Sequence, residues 1–148
     1  MNFPTKILIS GQQMKRVYEK QFEDICEKYQ ITQNEADIIV FLANNREFDT
    51  ARDIVEFRMI AKSYISKSVE DLIKKGFLVR TFDKEDRRII HLKLTDKSIP
   101  MVDDARLKQK KFIEKLFVGM DTNEIEMFES LLTKILENAN MTSNKEKR

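Results

Sequence analysis

Apolar positions along the chain fall first into helical spacing. Between about Lys6 and Tyr29, the residues Ile7, Met14, Val17, Tyr18, Phe22, Ile25 and Tyr29 share one face with polar residues opposite, which predicts an amphipathic helix. Ile31-Thr32 interrupts it. Thr32 followed by Glu35 has the spacing of a capping box, in which each side chain serves the other residue's backbone N–H. The helix it opens carries Ala36, Ile39, Val40 and Ala43 on one stripe and ends at Asn44-Asn45, asparagine being a common terminator. A short link to Asp49 follows, with a minimal strand predicted at Glu47-Phe48. Thr50 caps a third, short helix that buries Ala51, Ile54 and Val55, and the chain turns around Phe57 to Ile60. A fourth helix is predicted from Ala61 to Lys75, where Ile65, Val69, Leu72 and Ile73 form one stripe. Lys75-Gly76 ends it, with basic charge at the negative helix end and glycine free to turn left-handed.

The period then changes from helical to alternating. Phe77–Phe82 and Ile89–Leu94 are two β-rich runs, and the six residues between them, Asp83 to Arg88, are all charged. Such a tip is too polar to pack inside anything, so the pair reads as a hairpin with a solvated end. The last third returns to helical spacing. Thr95 or Ser98 starts a helix whose regular part begins near Pro100 and runs through Val102, Ala105, Phe112, Ile113, Leu116 and Phe117 to Gly119. Asp121 to Glu124 is a fresh cap for a stripe of Ile125, Phe128, Leu131, Leu132, Ile135, Leu136 and Ala139. The tail, residues 141–148, reads as disordered.

Helix, turn, helix, strand, charged tip, strand is the order of a winged helix-turn-helix. The expected fold class is therefore mainly α (α+β): a winged helix-turn-helix lobe with a two-stranded wing, plus N- and C-terminal helices. An α-helix fits the major groove of DNA and a hairpin tip can lie along the neighbouring minor groove. The fourth helix has the outward face this needs, since Lys62, Ser63, Ser66, Lys67 and Glu70 lie opposite its apolar stripe. Its 15 residues span about 22 Å, ample for a groove.

Charge sharpens this picture more than composition does. The chain of 148 residues carries a net charge of only +2, but ten Lys/Arg against five Asp/Glu fall between Arg58 and Lys93. Positive charge gathered around the fourth helix and hairpin is the footprint of a polyanion-binding lobe. With 41% hydrophobic and 35% charged residues the chain can bury a core beneath a solvated surface, and 3 Gly and 2 Pro leave long helices few breaks. Neither a signal core nor a membrane-length apolar run is present, so no membrane contact is expected and the cytoplasm is the expected compartment.

The wing region resembles a known family. Asp83, Asp86 and Arg88 match a D-x-R-D-x-R wing pattern, and Leu92, Leu94 and Thr95 match an L-x-L-T-x-x-G strand-to-helix junction. Both are similar to MarR-family transcriptional regulators, and the flanking helices fall in that family's order over essentially the whole chain. Glu85 departs from the pattern where its first Arg stands, lowering positive charge on the wing, and Ser98 stands where the junction has Gly.

The resemblance implies a homodimer bound to double-stranded DNA. Residues 1–31 and 99–140 would supply the dimerisation helices and residues 32–98 the DNA-binding lobe. Amphipathic helices at both ends, with more apolar stripe than one small lobe covers, agree with that. The resemblance places Ala61, Lys62, Ser63, Tyr64, Ser66 and Lys67 in the major groove and Lys84, Arg87 and Arg88 on the wing. Lys62, Lys67 and Lys84 suit phosphate contacts, which set register and affinity rather than sequence choice. For Arg88 two roles stay open: a minor-groove contact, or an ion pair with Asp86. Relatives of this kind bind phenolic or other aromatic acids in a crevice between dimer arm and lobe, so a small aromatic acid is the implied effector, although no residue of the chain identifies it.

Other chemistry finds little support. His91 is the single histidine, without the further ligands a metal needs, and reads as structural. Cys26, the single cysteine, excludes an internal disulfide and suits a small buried hydrophobe among Ile25 and Tyr29 better than a redox switch. Asp103-Asp104 are adjacent on a helix and diverge, a poor acid–base pair. No phosphate loop or nucleophile motif occurs, so neither an enzyme nor a cofactor is expected. Two non-enzymatic readings compete with a sequence-specific regulator: a winged-helix module docking an acidic protein, for which Glu70, Asp71 and Glu85 speak, and a non-specific architectural DNA binder.

Overall fold

The computed structural model describes the backbone of residues 1–146 and the side chains of residues 1–140. Of the described residues, 1–112 form one compact unit and 113–146 belong to a second.

The first unit opens with α1 (Phe3–Gln21) and α2 (Glu23–Tyr29). Asn2 caps α1 by accepting the Thr5 N–H at 3.0 Å, and Pro4 sits in the first turn, where its missing N–H costs nothing. The single helix expected over this stretch is two. Phe22 sits at the break with its ring fully buried, and its N–H turns back to the Glu19 and Lys20 carbonyls. Gln30, in the left-handed conformation, ends α2.

α3 (Gln33–Asn44) begins with the predicted capping box: Thr32 Oγ1 accepts the Glu35 N–H at 3.2 Å, and Glu35 Oε2 accepts the Thr32 N–H at 3.1 Å. This helix is the centre of the core, with Ala36, Ile38 and Ile39 wholly buried. Two of its acids are buried with it, and each has a cation. Glu35 pairs with Lys75 at 2.7 Å and Asp37 with Arg58 at 3.1 Å. These pairs tie α3 to the ends of the next two helices.

No strand forms at Glu47-Phe48. The Asp49 carbonyl instead accepts the Leu92 N–H at 2.7 Å, a lone ladder bond to the hairpin. α4 (Ala51–Arg58) opens on a second box, Thr50 with Asp53, and α5 (Lys62–Lys74) follows after a turn in which Met59 is left-handed. Ile54, Ile65 and Leu72 are fully buried and Val69 nearly so, while Ala51, Val55 and Ile73 are half-buried. Gly76, at φ +82°, makes the turn that ends α5.

β1 (Leu78–Phe82) and β2 (Ile90–Leu94) pair antiparallel, Leu78 opposite Leu94 and Phe82 opposite Ile90. Leu92 is buried and Leu94 half-buried. Thr95 then closes back on the end of α5, its hydroxyl donating to the Gly76 carbonyl at 2.5 Å and its N–H to that of Phe77 at 3.0 Å. That explains the spacing of Leu92, Leu94 and Thr95. Ser98, in the position the junction pattern gives to glycine, is buried and donates its hydroxyl to the Thr95 carbonyl at 2.6 Å. The departure from Gly is absorbed by a 3-10 turn at Asp96–Ser98, and α6 (Ile99–Leu116) starts one residue later. α6 stops short of the predicted Gly119.

In the second unit, Asp121 and Glu124 exchange bonds at 2.9 Å each to start α7 (Thr122–Glu146). This helix continues past the point where the sequence suggests disorder. Residues 147–148 of that expected tail lie outside the described residues. Phe128, Leu131, Leu132, Ile135 and Leu136 are all exposed along α7. No described helix is long and apolar enough to cross a membrane.

Candidate nucleic-acid interface

The helix-turn-helix of α4, turn and α5 is set by its buried face. With Ile65, Ser68, Val69 and Leu72 inward, helical geometry leaves Lys62, Ser63, Tyr64, Ser66 and Lys67 outward, and all five are exposed, as is Ala61 at the N-cap. All six positions predicted for the reading helix are therefore solvent-exposed, spread over the part of α5 that its buried stripe leaves open. Glu70 extends it, but an ion pair with Arg80 of β1 occupies its carboxylate and braces α5 against the wing. Arg80 also holds the Glu70 carboxyl below its ordinary range.

The start of α5 is chemically open. No side chain caps it, and the first backbone N–H groups bonded within the helix are those of Tyr64 and Ile65, both to the Ala61 carbonyl. The earlier N–H groups and the positive end of the helix dipole therefore face solvent, a standard setting for phosphate oxygens.

The wing tip is organised by its acids. Asp83 Oδ1 accepts the N–H groups of Glu85 and Asp86, each at 2.9 Å, and the Asp83 N–H donates to the Ile89 carbonyl at 3.0 Å. Asp86 binds Arg88 in three ways: its carboxylate takes the Arg88 backbone N–H at 3.0 Å, Nε at 3.0 Å and the terminal nitrogen at 3.1 Å. The ion pair left open by the sequence thus forms, although the Arg88 side chain is 91% exposed. The pairing lowers the Asp86 carboxyl pKa and raises that of the guanidinium. Lys84 and Arg87 are exposed and have no carboxylate partner among the described residues.

One participant escapes the sequence reading. His91 bridges Asp49 and Asp83, with Nδ1 2.6 Å from Asp49 and Nε2 3.0 Å from Asp83. The alternation of β2 shows only that His91 lies near the tip. Its partner Asp49 is 42 positions away and is brought in by the fold. Hydrogen bonds, first to Asp49 and then to Asp83, raise the His91 pKa. The Asp83 carboxyl falls to about 2, chiefly through His91 and then through the tip N–H groups.

A separate crevice of about 580 Å³ opens where β2 passes into α6, with Arg46, Asp49, Leu94, Ile99, Val102 and Arg106 among its walls. Its walls mix apolar side chains with three cations, Arg46, Lys93 and Arg106, and three acids, Asp49, Asp96 and Asp103, the last paired with Arg106. Cys26 is half-buried, its thiol near Gln33, and burial pushes its pKa up, away from the reactive thiolate.

The model of the MarR family matches residues 29–89, the stretch from the end of α2 to the wing tip. The transcriptional regulator PapX of Escherichia coli is 27% identical over 84 residues, 57% of this chain and 51% of PapX. The chain spans about half the length of the curated relatives it matches. A MarR-family transcriptional regulator from Listeria monocytogenes, solved with a 26mer DNA, superposes with a TM-score of 0.77 at 16% identity, over 93% of this chain and 89% of that one. BpsR of Bordetella bronchiseptica, whose DNA binding is regulated by 6-hydroxynicotinic acid, superposes at 0.67 with 17% identity, over 88% and 98%. At these identities the solved structures establish the fold.

Proposed function

We propose that the chain is a MarR-family, sequence-specific transcriptional regulator, a repressor that binds a pseudo-palindromic operator as a homodimer; the match of residues 29–89 to the model of that family and the winged helix-turn-helix fold support this reading. The observation that carries this reading is the shared exposure of Ala61, Lys62, Ser63, Tyr64, Ser66 and Lys67 on α5, beside a wing whose Lys84 and Arg87 are free of acids. α5 lies in the major groove with its open N-terminus against the phosphate backbone, and the wing reaches the adjacent minor groove. Lys62, Lys67 and Lys84 contact phosphates. Arg88 is carried by Asp86 as a preset guanidinium, facing solvent.

Dimerisation is supported by apolar surface that a monomer leaves wet. Phe3, Ile7 and Leu8 of α1 are exposed, and so is the α7 face of Phe128, Leu131, Leu132, Ile135 and Leu136. A two-fold dimer would set its reading helices about one DNA turn, roughly 34 Å, apart. The β2–α6 crevice fits a small aromatic acid, whose ring meets Leu94, Ile99 and Val102 and whose carboxylate meets Arg46, Arg106 being paired with Asp103. Such a ligand lowers operator affinity only by preferring the lobe spacing that does not fit DNA.

The test is selection from a random duplex library at physiological salt, with the double variant Lys67→Ala, Arg88→Ala in parallel. A two-fold-related motif enriched by wild type and lost in the variant is the expected result. Enrichment of nothing, with salt-sensitive binding to bulk DNA, would leave an architectural protein, and no DNA binding at all would leave a protein-docking module.

A further inference from the structure

His91 is the only histidine of the chain, and both its ring nitrogens face carboxylates. An ionised carboxylate can only accept hydrogen bonds, and a neutral imidazole has a single N–H. In the neutral ring the second nitrogen would present a lone pair to an oxygen lone pair. Contacts at 2.6 and 3.0 Å are satisfied together only by the imidazolium.

The two acids belong to different parts of the lobe. Asp49 precedes the Thr50 cap of α4, and its carbonyl takes the Leu92 N–H. Asp83 opens the tip, and the oxygen that His91 does not touch holds the Glu85 and Asp86 N–H groups. His91 therefore joins the helix-turn-helix body to the carboxylate that shapes the tip turn. We propose that His91, in its doubly protonated form, is a positioning residue for DNA contact by the wing, and that loss of its proton frees the tip. This rests on the DNA-binding reading above.

The charged surroundings leave Asp49 and Asp83 as the groups in contact with the ring. Lys84, Glu85 and Lys93 line the same cleft, and Thr81 lies opposite His91 across the hairpin. In the helices that pack on β2, Glu35 and Asp37 of α3 are engaged by Lys75 and Arg58, and Asp53 of α4 by Thr50. The sign follows from linkage. A histidine whose pKa is raised by closure stabilises the closed wing below its ordinary pKa, and that contribution is lost as pH rises through the raised value. Charge acts in the same direction, because deprotonation takes the cluster from one net negative charge to two beside a polyanion.

Two measurements on the full chain test this. The first needs no DNA: the His91 ring and the amides of Glu85 and Asp86 are followed by NMR from about pH 6 to about pH 9. The ring is expected to titrate above the ordinary histidine range and the tip amides to move with it. In Asp49→Asn the ring should return toward that range. A ring titrating at or below the ordinary value, or tip amides indifferent to it, overturns the proposal. The second is affinity for a mixed-sequence duplex of about three helical turns at low salt. Wild-type affinity should fall about fivefold per wing as the ring deprotonates, the weight of one net hydrogen bond, or about 25-fold for the two wings of a dimer, while His91→Gln stays flat. Identical pH curves for the two proteins overturn the positioning role. Binding by neither at any pH overturns the DNA reading instead, and the tip amides alone then decide whether the clip exists.

Discussion

The salt dependence of DNA binding can be worked from side-chain pairing on the proposed interface. Lys62, Lys67, Lys84 and Arg87 have no carboxylate partner among the described residues, whereas Arg88 is already neutralised by Asp86. If each free cation meets one phosphate, a two-fold dimer makes at most eight such contacts. At about 0.9 per phosphate, the slope of log affinity against log salt is about −7. A threefold rise in salt then weakens binding about 3,000-fold. Lys67→Ala removes one contact per subunit, so its slope should flatten to about −5 and the same rise in salt should cost about 400-fold. Arg88→Ala should leave the slope near the wild-type value, because the Asp86–Arg88 pair displaces few counterions as it stands. Fluorescence anisotropy of a labelled duplex from about 0.1 to 0.3 M salt reads both variants. Equal flattening by Arg88→Ala would show that Arg88 leaves Asp86 on DNA. An unchanged slope in Lys67→Ala would refute the placement of α5 against phosphate.

Stability predictions follow from burial and pairing in the same lobe. Ile65→Ala empties a fully buried site beneath the reading helix and should cost about 2–5 kcal/mol in urea unfolding; a loss below about 1 kcal/mol would contradict that burial. Arg58→Met leaves the 7%-exposed Asp37 carboxylate without its cation. Because Arg58 is itself 38% exposed, the cost should be about 1–3 kcal/mol at neutral pH, below the full figure for a buried pair. Burial raises the Asp37 pKa and Arg58 opposes that rise. The variant should therefore regain stability on acidification toward the ordinary carboxyl range and lose it as pH rises through the Asp37 value, a trend that unfolding at several pH values would reveal. Thr50→Ala removes the cap of α4 and should cost about 1 kcal/mol, with Thr50→Ser recovering most of it in the same assay.

Local rules made much of this protein legible in its sequence. Period and capping chemistry act over three or four residues, which is why the Thr32 and Thr50 caps, the α5 stripe and the charged hairpin tip can be read without coordinates. The outward set on α5 follows from the same periodicity once Ile65, Val69 and Leu72 are taken as buried. Pairings between distant segments followed no such rule. The break at Phe22 arises where a ring enters the core, a matter of packing. The missing strand at Glu47-Phe48 reflects a single ladder bond, at Asp49, where pairing needs a run of them. The Asp37–Arg58 and Glu35–Lys75 pairs, and the bridge from Asp49 through His91 to Asp83, join residues that only the folded chain brings together. By itself the sequence determined the caps, the apolar stripes and the order of most helices and of the hairpin, though not the break at Phe22 or the extent of α7. The tertiary structure decided which charges are spent inside the protein and which remain for a partner, because that depends on distances between segments that no local pattern encodes.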